Sequence, residues 1–229
     1  MKIICTICAR GGSKGLNKKN VRLLQGKPLI AHTILQANST DIFDAISVSS
    51  DSKEILDVAS DYGVEHLIQR PHELATDKAS KLLTIRHCLK SVEVITGIKF
   101  DVIVDLDVTS PLRSVDDINN AVNLLNEQNA SNVITGVPSR RSPYFNMVEL
   151  DNNGIARLSK PPKDKFFRRQ DSPQCYDMNA SIYAWNRKCL LESDSIWNEQ
   201  TRLYLMSEEV MDIDSLVDFE IVELLMNRK

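Results

Sequence analysis

Ile3-Ile4-Cys5-Thr6-Ile7-Cys8-Ala9-Arg10-Gly11-Gly12-Ser13-Lys14-Gly15-Leu16-Asn17-Lys18-Lys19-Asn20 follows directly on Met1-Lys2. The run from Ile3 to Ala9 reads as a buried first strand. It ends in a loop with three glycines, which let a backbone turn sharply and come close to a ligand. Arg10, Lys14, Lys18 and Lys19 give the loop fixed positive charge, and no Asp or Glu precedes Asp41. A buried strand that ends in a basic, glycine-rich loop is suited to holding phosphate. The spacing is neither G-x-x-x-x-G-K-[ST] nor G-x-G-x-x-G, which argues against a Walker loop and a dinucleotide site.

Strand-like and helix-like segments then alternate. Helices are expected at 28–38, 52–62, 80–94 and 114–128, and strands at 45–49, 65–68, 102–106 and 132–137. Pro28 suits a first helical turn, Gly63 a helix end, and Ser114-x-x-Asp117 a capping box. Such alternation predicts an α/β fold with a doubly wound, mainly parallel sheet, whose ligands bind beyond the carboxyl ends of the strands. The glycine loop and Asp105-Leu106-Asp107 would both lie there. Between 139 and 179 helical periodicity stops. Basic residues gather around Asn152-Asn153-Gly154, a hairpin-turn sequence, together with Tyr144, Phe145, Phe166 and Phe167. This reads as a β-rich arm inserted in a single domain spanning 1–229. Its apolar side chains predict cover by a second subunit, hence a homodimer. The fold resumes at 180–185, and 215–226 is expected to be an amphipathic closing helix.

The 229 residues carry a net charge of −3, which argues against a general nucleic-acid-binding surface. No apolar run approaches the ~20 residues of a membrane span. No signal-like segment precedes the first strand, and five cysteines without framework spacing suit a reduced compartment, so a cytoplasmic protein is expected. Cys5 and Cys8 form a C-x-x-C, but strand packing explains it better than a redox pair, because positions three apart face opposite sides of a strand. His32, His66, His72 and His87 show no ligand spacing. Asp212 and Asp214 stand two apart in an extended segment, which would turn both carboxylates to one side. That spacing fits a Mg²⁺ pair as well as it fits a solvated acid beside the helix cap Ser215.

Arg70-Pro71-His72-Glu73-Leu74-Ala75, Thr109-Ser110-Pro111-Leu112-Arg113, Asn179-Ala180-Ser181-Ile182-Tyr183 and Asp212-Ile213-Asp214 follow the loop in order. Together with the loop they resemble the motifs of the CMP-sialic acid synthetases, cytidylyltransferases that activate nonulosonic acids. The resemblance runs along nearly the whole chain. It implies a Rossmann-like nucleotidyltransferase that joins CTP to a sugar acid, with Mg²⁺, to give the CMP-sugar and pyrophosphate. Under it Arg10, Lys14 and Lys19, with the backbone of Gly11, Gly12 and Ser13, would hold the triphosphate. Asn20 and Arg70 would contact the nucleoside, and Ala79 the base. Asp212 and Asp214 would bind the metal, with Arg10, Lys14, Lys19 and Asp214 carrying the chemistry. Asp107, Arg140, Arg141, Arg169, Tyr176, Asp177 and Asn179 would face the sugar. Many sialic acid enzymes have glutamine at the place of Asp107 and arginine at that of Asp177. Cys5-Thr6-Ile7-Cys8, Ser139 to Asn146 and Cys175 to Asn179 look most like the branch that activates legionaminic acid, a 5,7-diamido sugar. The alternatives are N-acetylneuraminate, then Kdo, or a nucleotide-sugar-binding protein without turnover. Lys81 stands where a relative has a small polar residue.

Overall fold

A computed structural model describes residues 1–12, 15–162, 168–207 and 210–228. In chain order the elements are β1 (Ile3–Cys8), β2 (Leu23–Leu24), β3 (Lys27–Pro28), α1 (Leu29–Asn38), β4 (Ala45–Ser50), α2 (Lys53–Asp61) and β5 (His66–Gln69). Then come α3 (Lys81–Thr96), β6 (Val102–Leu106), α4 (Val115–Glu127), β7 (Asn132–Pro138), β8 (Val148–Leu150), β9 (Ala156–Leu158), β10 (Tyr176–Asn186), α5 (Arg187–Glu192), β11 (Thr201–Leu205) and α6 (Leu216–Met226). Seven strands form one sheet in the order β11-β7-β10-β6-β1-β4-β5. All neighbours run parallel except β10, which is antiparallel to both β6 and β7.

Strand alternation explains why β1 is apolar on both faces apart from Thr6, whose hydroxyl donates to Asp105 Oδ1 at 2.8 Å. Ile3, Cys5 and Ile7 point into a core built with Leu29, Ile30 and Ile34 of α1, Ile55 of α2, Ile118 and Val122 of α4, and Phe219 and Val222 of α6. Ile4 points the other way, into a core with Leu82, Ile85 and Leu89 of α3, Leu190 of α5, Ile103 and Trp185. A sheet covered on both faces has no solvent face to mark with polar residues.

Local signals account for the element ends. The Ser114 and Ser215 side chains each accept from the backbone N–H three residues on, and Asp117 and Asp218 reach back to complete both capping boxes. Gly97 ends α3 at φ +70, a left-handed conformation that glycine adopts freely. A two-strand ribbon, β2–β3, lies where the sequence offered no strand, turned by Gln25 and Gly26 with φ of 50 and 74. Both central residues at positive φ match the twist of a tight hairpin. The arm hairpin β8–β9 turns at Asn152-Asn153-Gly154, where Asp151 Oδ1 accepts from the N–H of Asn153 and Ile155 at 3.0 Å each. Phe166 and Phe167 lie outside the described residues.

Three expectations are corrected. β10 begins at Tyr176, earlier than the expected start at 180, and its register with β7 shifts between Asn179 and Tyr183. The edge strand β11 and the short α5 were not expected; α5 has an N-cap, Asn186, whose side chain accepts from Lys188 N–H at 3.0 Å, but its six residues are too few to show a helical period. α6 is not amphipathic: Phe219 and Val222 are buried, while Leu216, Val217, Ile221 and Leu224 are exposed. No described helix is long and apolar enough to cross a membrane.

Glu93 of α3 ties the far end of the sheet together. Its side chain is 2% exposed, accepts from Arg187 Nε and Nη2 at 2.8 and 3.0 Å, from Lys99 Nζ at 2.9 Å and from Phe100 N–H at 3.3 Å. Burial would raise this carboxyl, but the hydrogen bonds from Arg187, Lys99 and Phe100 outweigh it and hold it at about 2. A carboxyl depressed below its unfolded value of ~4.3 contributes stability above that value and loses it as pH falls toward 2. Glu93→Gln is therefore expected to cost about 3 kcal/mol near neutrality, and less at pH 3, because it leaves Arg187 without its partner charge. Urea melts at pH 7 and pH 3 measure this, and an equal loss at both would contradict the assignment.

Candidate functional site

A cleft of about 400 Å³ opens beyond the carboxyl ends of β1, β5 and β6. The glycine loop after β1 supplies Arg10, Gly15, Lys19 and Asn20 to its wall, and the loop after β5 supplies Arg70, Leu74, Thr76, Asp77 and Ala79. Lys81 and Thr84 enter from α3, Asp107, Val108 and Thr109 from the end of β6, and Asp214 from the segment before α6.

Each cation is held in place. The Arg70 guanidinium is buried and donates to Ser49 O at 2.6 Å and Ser49 Oγ at 3.2 Å. Arg10 pairs with Asp77 at 2.8 Å, and its carbonyl accepts from Asn20 Nδ2 at 2.9 Å. Lys19 Nζ donates to Ile213 O at 2.6 Å and lies 3.3 Å from Asp214 Oδ1. The loop and the acidic segment therefore clamp each other. Gly15 is why they fit: a Cβ there would lie 2.1 Å from Asp214 O. Gly11 N–H donates to Asp51 Oδ1 at 2.9 Å, and Gly11 and Gly12 do not line the cleft. Ser13 and Lys14 lie outside the described residues.

The two acids of the closing motif have different surroundings. Asp212 is half-buried, with Oδ1 accepting from Ser110 Oγ and Oδ2 from Ala180 N–H at 3.2 Å. Asp214 is 83% exposed at the side chain and looks into the cleft. Among the described residues no three His, Cys, Asp or Glu side chains form a metal site by themselves. One open carboxylate beside a cation-lined cleft of about 400 Å³ does fit Mg²⁺, which takes one or two carboxylates and completes its shell with phosphates and waters.

At the floor, Lys81 Nζ is 2.6 Å from Asp107 Oδ2 and 3.2 Å from Asp105 Oδ2, and 4.5 Å from the centre of the Tyr183 ring. Burial would raise Asp107, but Lys81 and the Thr109 donors hold it down at about 2. Sequence reasoning left Lys81 without a role; its signal was a cation at the first residue of a helix. Cys8 also lines the cleft, but its hydrogen bond with Cys88 and its burial push the thiol well up, and burial does the same for Cys5. Neither is a thiolate nucleophile.

Of the sugar-side residues only Asp107 lines this cleft. Arg141 and Arg169 line a separate cavity of about 380 Å³ along the arm, where Arg169 donates to Ser139 O. Tyr176 and Asp177 line another of about 630 Å³ with Tyr144, Met147 and Trp197, and Asp177 accepts from Ser139 Oγ at 2.7 Å. Arg140 is exposed on the arm. Asn179 is buried and its amide is engaged within the β10 irregularity: it accepts from Thr135 Oγ1 at 2.5 Å and lies 3.6 Å from Met206 Sδ.

A family model described as "Cytidylyltransferase" matches residues 4–220. The chain is 45% identical to a Campylobacter jejuni protein named CMP-N,N'-diacetyllegionaminic acid synthase, over 100% of this chain and 96% of that one. It is 42% identical to Post-translational flagellin modification protein B of Campylobacter coli, with the same coverage. Among solved structures, CMP:2-keto-3-deoxy-manno-octonic acid synthetase complexed with CTP superposes with a TM-score of 0.72 at 17% identity, covering 100% of this chain and 99% of the other. That likeness concerns the fold.

Proposed function

We propose, for a chain that belongs to the cytidylyltransferase family, that it joins CTP to a nonulosonic acid of the legionaminic type, giving the CMP-sugar and pyrophosphate. The observation that carries the nucleotide half is the cleft itself, where Lys19 and Arg70 are held by backbone carbonyls and Arg10 by Asp77 around a space of about 400 Å³. The sugar half rests on the name of the 45% identical relative. The anomeric hydroxyl of the sugar attacks the α-phosphorus of CTP, and the bond to the bridging oxygen of the β-phosphate breaks. Positioning and charge neutralisation are the protein's main contribution to such a transfer. Arg10 and Lys19, with Lys14 of the same loop, neutralise the triphosphate. Arg70, Asn20 and Ala79 hold the nucleoside, and Asp107 faces the sugar. Asp212 and Asp214 would hold Mg²⁺, Asp214 being the open carboxylate of the two, and the ion when bound would supply neutralisation of phosphate charge.

Arg140, Arg141, Arg169, Tyr176 and Asp177 lie outside the cleft of their own chain, which favours their serving the cleft of a second copy. We read the protein as a homodimer joined through the arm on that ground, and as cytoplasmic from its five cysteines without framework spacing. A fully active monomer in sedimentation velocity would remove this part of the reading.

The test is pyrophosphate release with CTP, Mg²⁺ and a panel of sugar acids. kcat/KM for N,N'-diacetyllegionaminate is expected to exceed that for N-acetylneuraminate by at least about tenfold, the scale set by one or two polar contacts. A preference for N-acetylneuraminate would move the assignment to that sugar, and no release with any acid would sink the enzyme reading.

A further inference from the structure

Lys81 is the first residue of the 16-residue helix α3. That end of a helix is electropositive, so a cation there is disfavoured by the helix itself. Its partners lie instead on the sheet: Asp107 and Asp105 at the end of β6, and the face of Tyr183 in β10. Asp105 Oδ1 is also bonded to Thr6 Oγ1 at 2.8 Å. The buried guanidinium of Arg113 also faces this group, but it donates to Ser181 O, Thr33 Oγ1 and Gln36 Oε1. Two carboxylates, Asp105 and Asp107, and two cations, Lys81 and Arg113, thus make a set with no net charge.

The hydrogen bonds of Asp107 leave little to choose. Oδ1 accepts from the N–H and the hydroxyl of Thr109 at 3.0 and 2.9 Å, which fills it. Oδ2 accepts from Lys81 at 2.6 Å and has one lone pair left. We infer that Lys81 is a positioning residue for sugar binding: its ammonium fixes the Asp107 carboxylate and cancels its charge, so that an acid can offer one acceptor to an anionic sugar without repelling it. This rests on the proposed reaction, and in particular on Asp107 facing the sugar. It also names the donor side of the ligand, a hydroxyl or an amide N–H, because an ionised carboxylate only accepts.

A double-mutant cycle on the full chain tests this. Lys81→Met leaves one uncompensated negative charge at the floor and is expected to raise KM for the sugar acid by about thirtyfold with a smaller change in kcat. Asp107→Asn alone leaves its one oxygen to the two Thr109 donors and puts an amide NH₂ where Oδ2 accepted, which is expected to raise the same KM by about tenfold. Added to Lys81→Met, Asp107→Asn restores neutrality and is expected to lower KM by at least about fivefold. The sign of the Asp107→Asn effect thus inverts with residue 81 in the sugar KM while the KM for CTP is expected to stay within about threefold, a split that a purely structural lysine would not produce. Asp107→Asn effects of the same sign in both backgrounds, or unchanged sugar KM in Lys81→Met, would overturn the inference. Thermal melts report folding; should Lys81→Met not fold, Lys81→Arg is expected to keep KM within about threefold and Lys81→Gln to raise it at least about tenfold, since only the first keeps the charge. Equal KM in those two overturns the inference as well. Wild-type turnover separates the two levels: without it the enzyme reading fails and takes this inference with it, and with it only the cycle decides.

Discussion

Gly15→Ala is expected to lower kcat/KM at least about a hundredfold while the sheet stays folded, the scale that a misplacement of ~1 Å produces in a positioned site. An added Cβ would lie 2.1 Å from Asp214 O and 3.4 Å from the Asp214 carbonyl carbon. The nearer atom is backbone, so no side-chain rotation relieves the clash. Either the glycine loop or the 213–214 segment must move, and Lys19 ties them at the same point through Ile213 O. Movement of the loop carries Arg10 and Lys19 away from Arg70 and Asp107, which are anchored on β4 and at the end of β6. Gly15 is itself exposed and belongs to neither hydrophobic core, so the melting temperature should fall far less than the activity. Steady-state kinetics beside a thermal melt measures both. Activity within a few-fold of the wild type would show that the loop and the acidic segment work without this close approach.

The parts legible in the sequence are those that local chemistry specifies. A strand buried on both faces has to be almost wholly apolar, so Ile3 to Cys8 announces itself. Ser114 with Asp117, and Ser215, mark helix starts because capping is a matter of three or four residues. The glycine loop announces anion binding because its charge is local too. The illegible parts depend on contacts between distant residues. Asp212 and Asp214 look equivalent by spacing, yet Asp212 reaches Ser110 and Ala180 whereas Asp214 meets Lys19. Nothing near residue 212 encodes those partners. Arg169 lies on the arm and Asp177 near the start of β10, each lining a cavity apart from the cleft, and their neighbours in the chain do not tell which surface they face. Lys81 lies between: a cation at a helix start is a local anomaly, but its resolution, two carboxylates from β6, needs the fold. α6 shows the converse, since nothing in the sequence separates its buried Phe219 and Val222 from Leu216, Val217, Ile221 and Leu224, which remain exposed.

The same division between structure and chemistry sets what loss of one acid should do. Asp214→Asn is expected to reduce Mg²⁺-dependent turnover on the order of a thousandfold, the several kcal/mol that charge stabilisation of a phosphoryl oxygen supplies. Stability should barely change. The carboxylate is 83% exposed, its ion pair with Lys19 spans 3.3 Å, and exposed pairs of this kind contribute about 1 kcal/mol or less. Lys19 keeps its stronger bond to Ile213 O at 2.6 Å, so the loop stays attached. Asparagine matches the shape and removes only the charge, which isolates the electrostatic role. Asp212→Asn should behave differently, because one of its two accepted bonds, from Ser110 or from the Ala180 N–H, would meet an amide donor instead of an acceptor. That variant should lose stability along with activity. Binding of Mn²⁺ in the presence of CTP, followed by electron paramagnetic resonance, supplies a readout independent of turnover and should weaken in Asp214→Asn. Near-normal metal-dependent turnover in that variant, with unchanged Mn²⁺ binding, would take Asp214 out of the metal site and leave the cleft's cations as the only groups that manage the triphosphate.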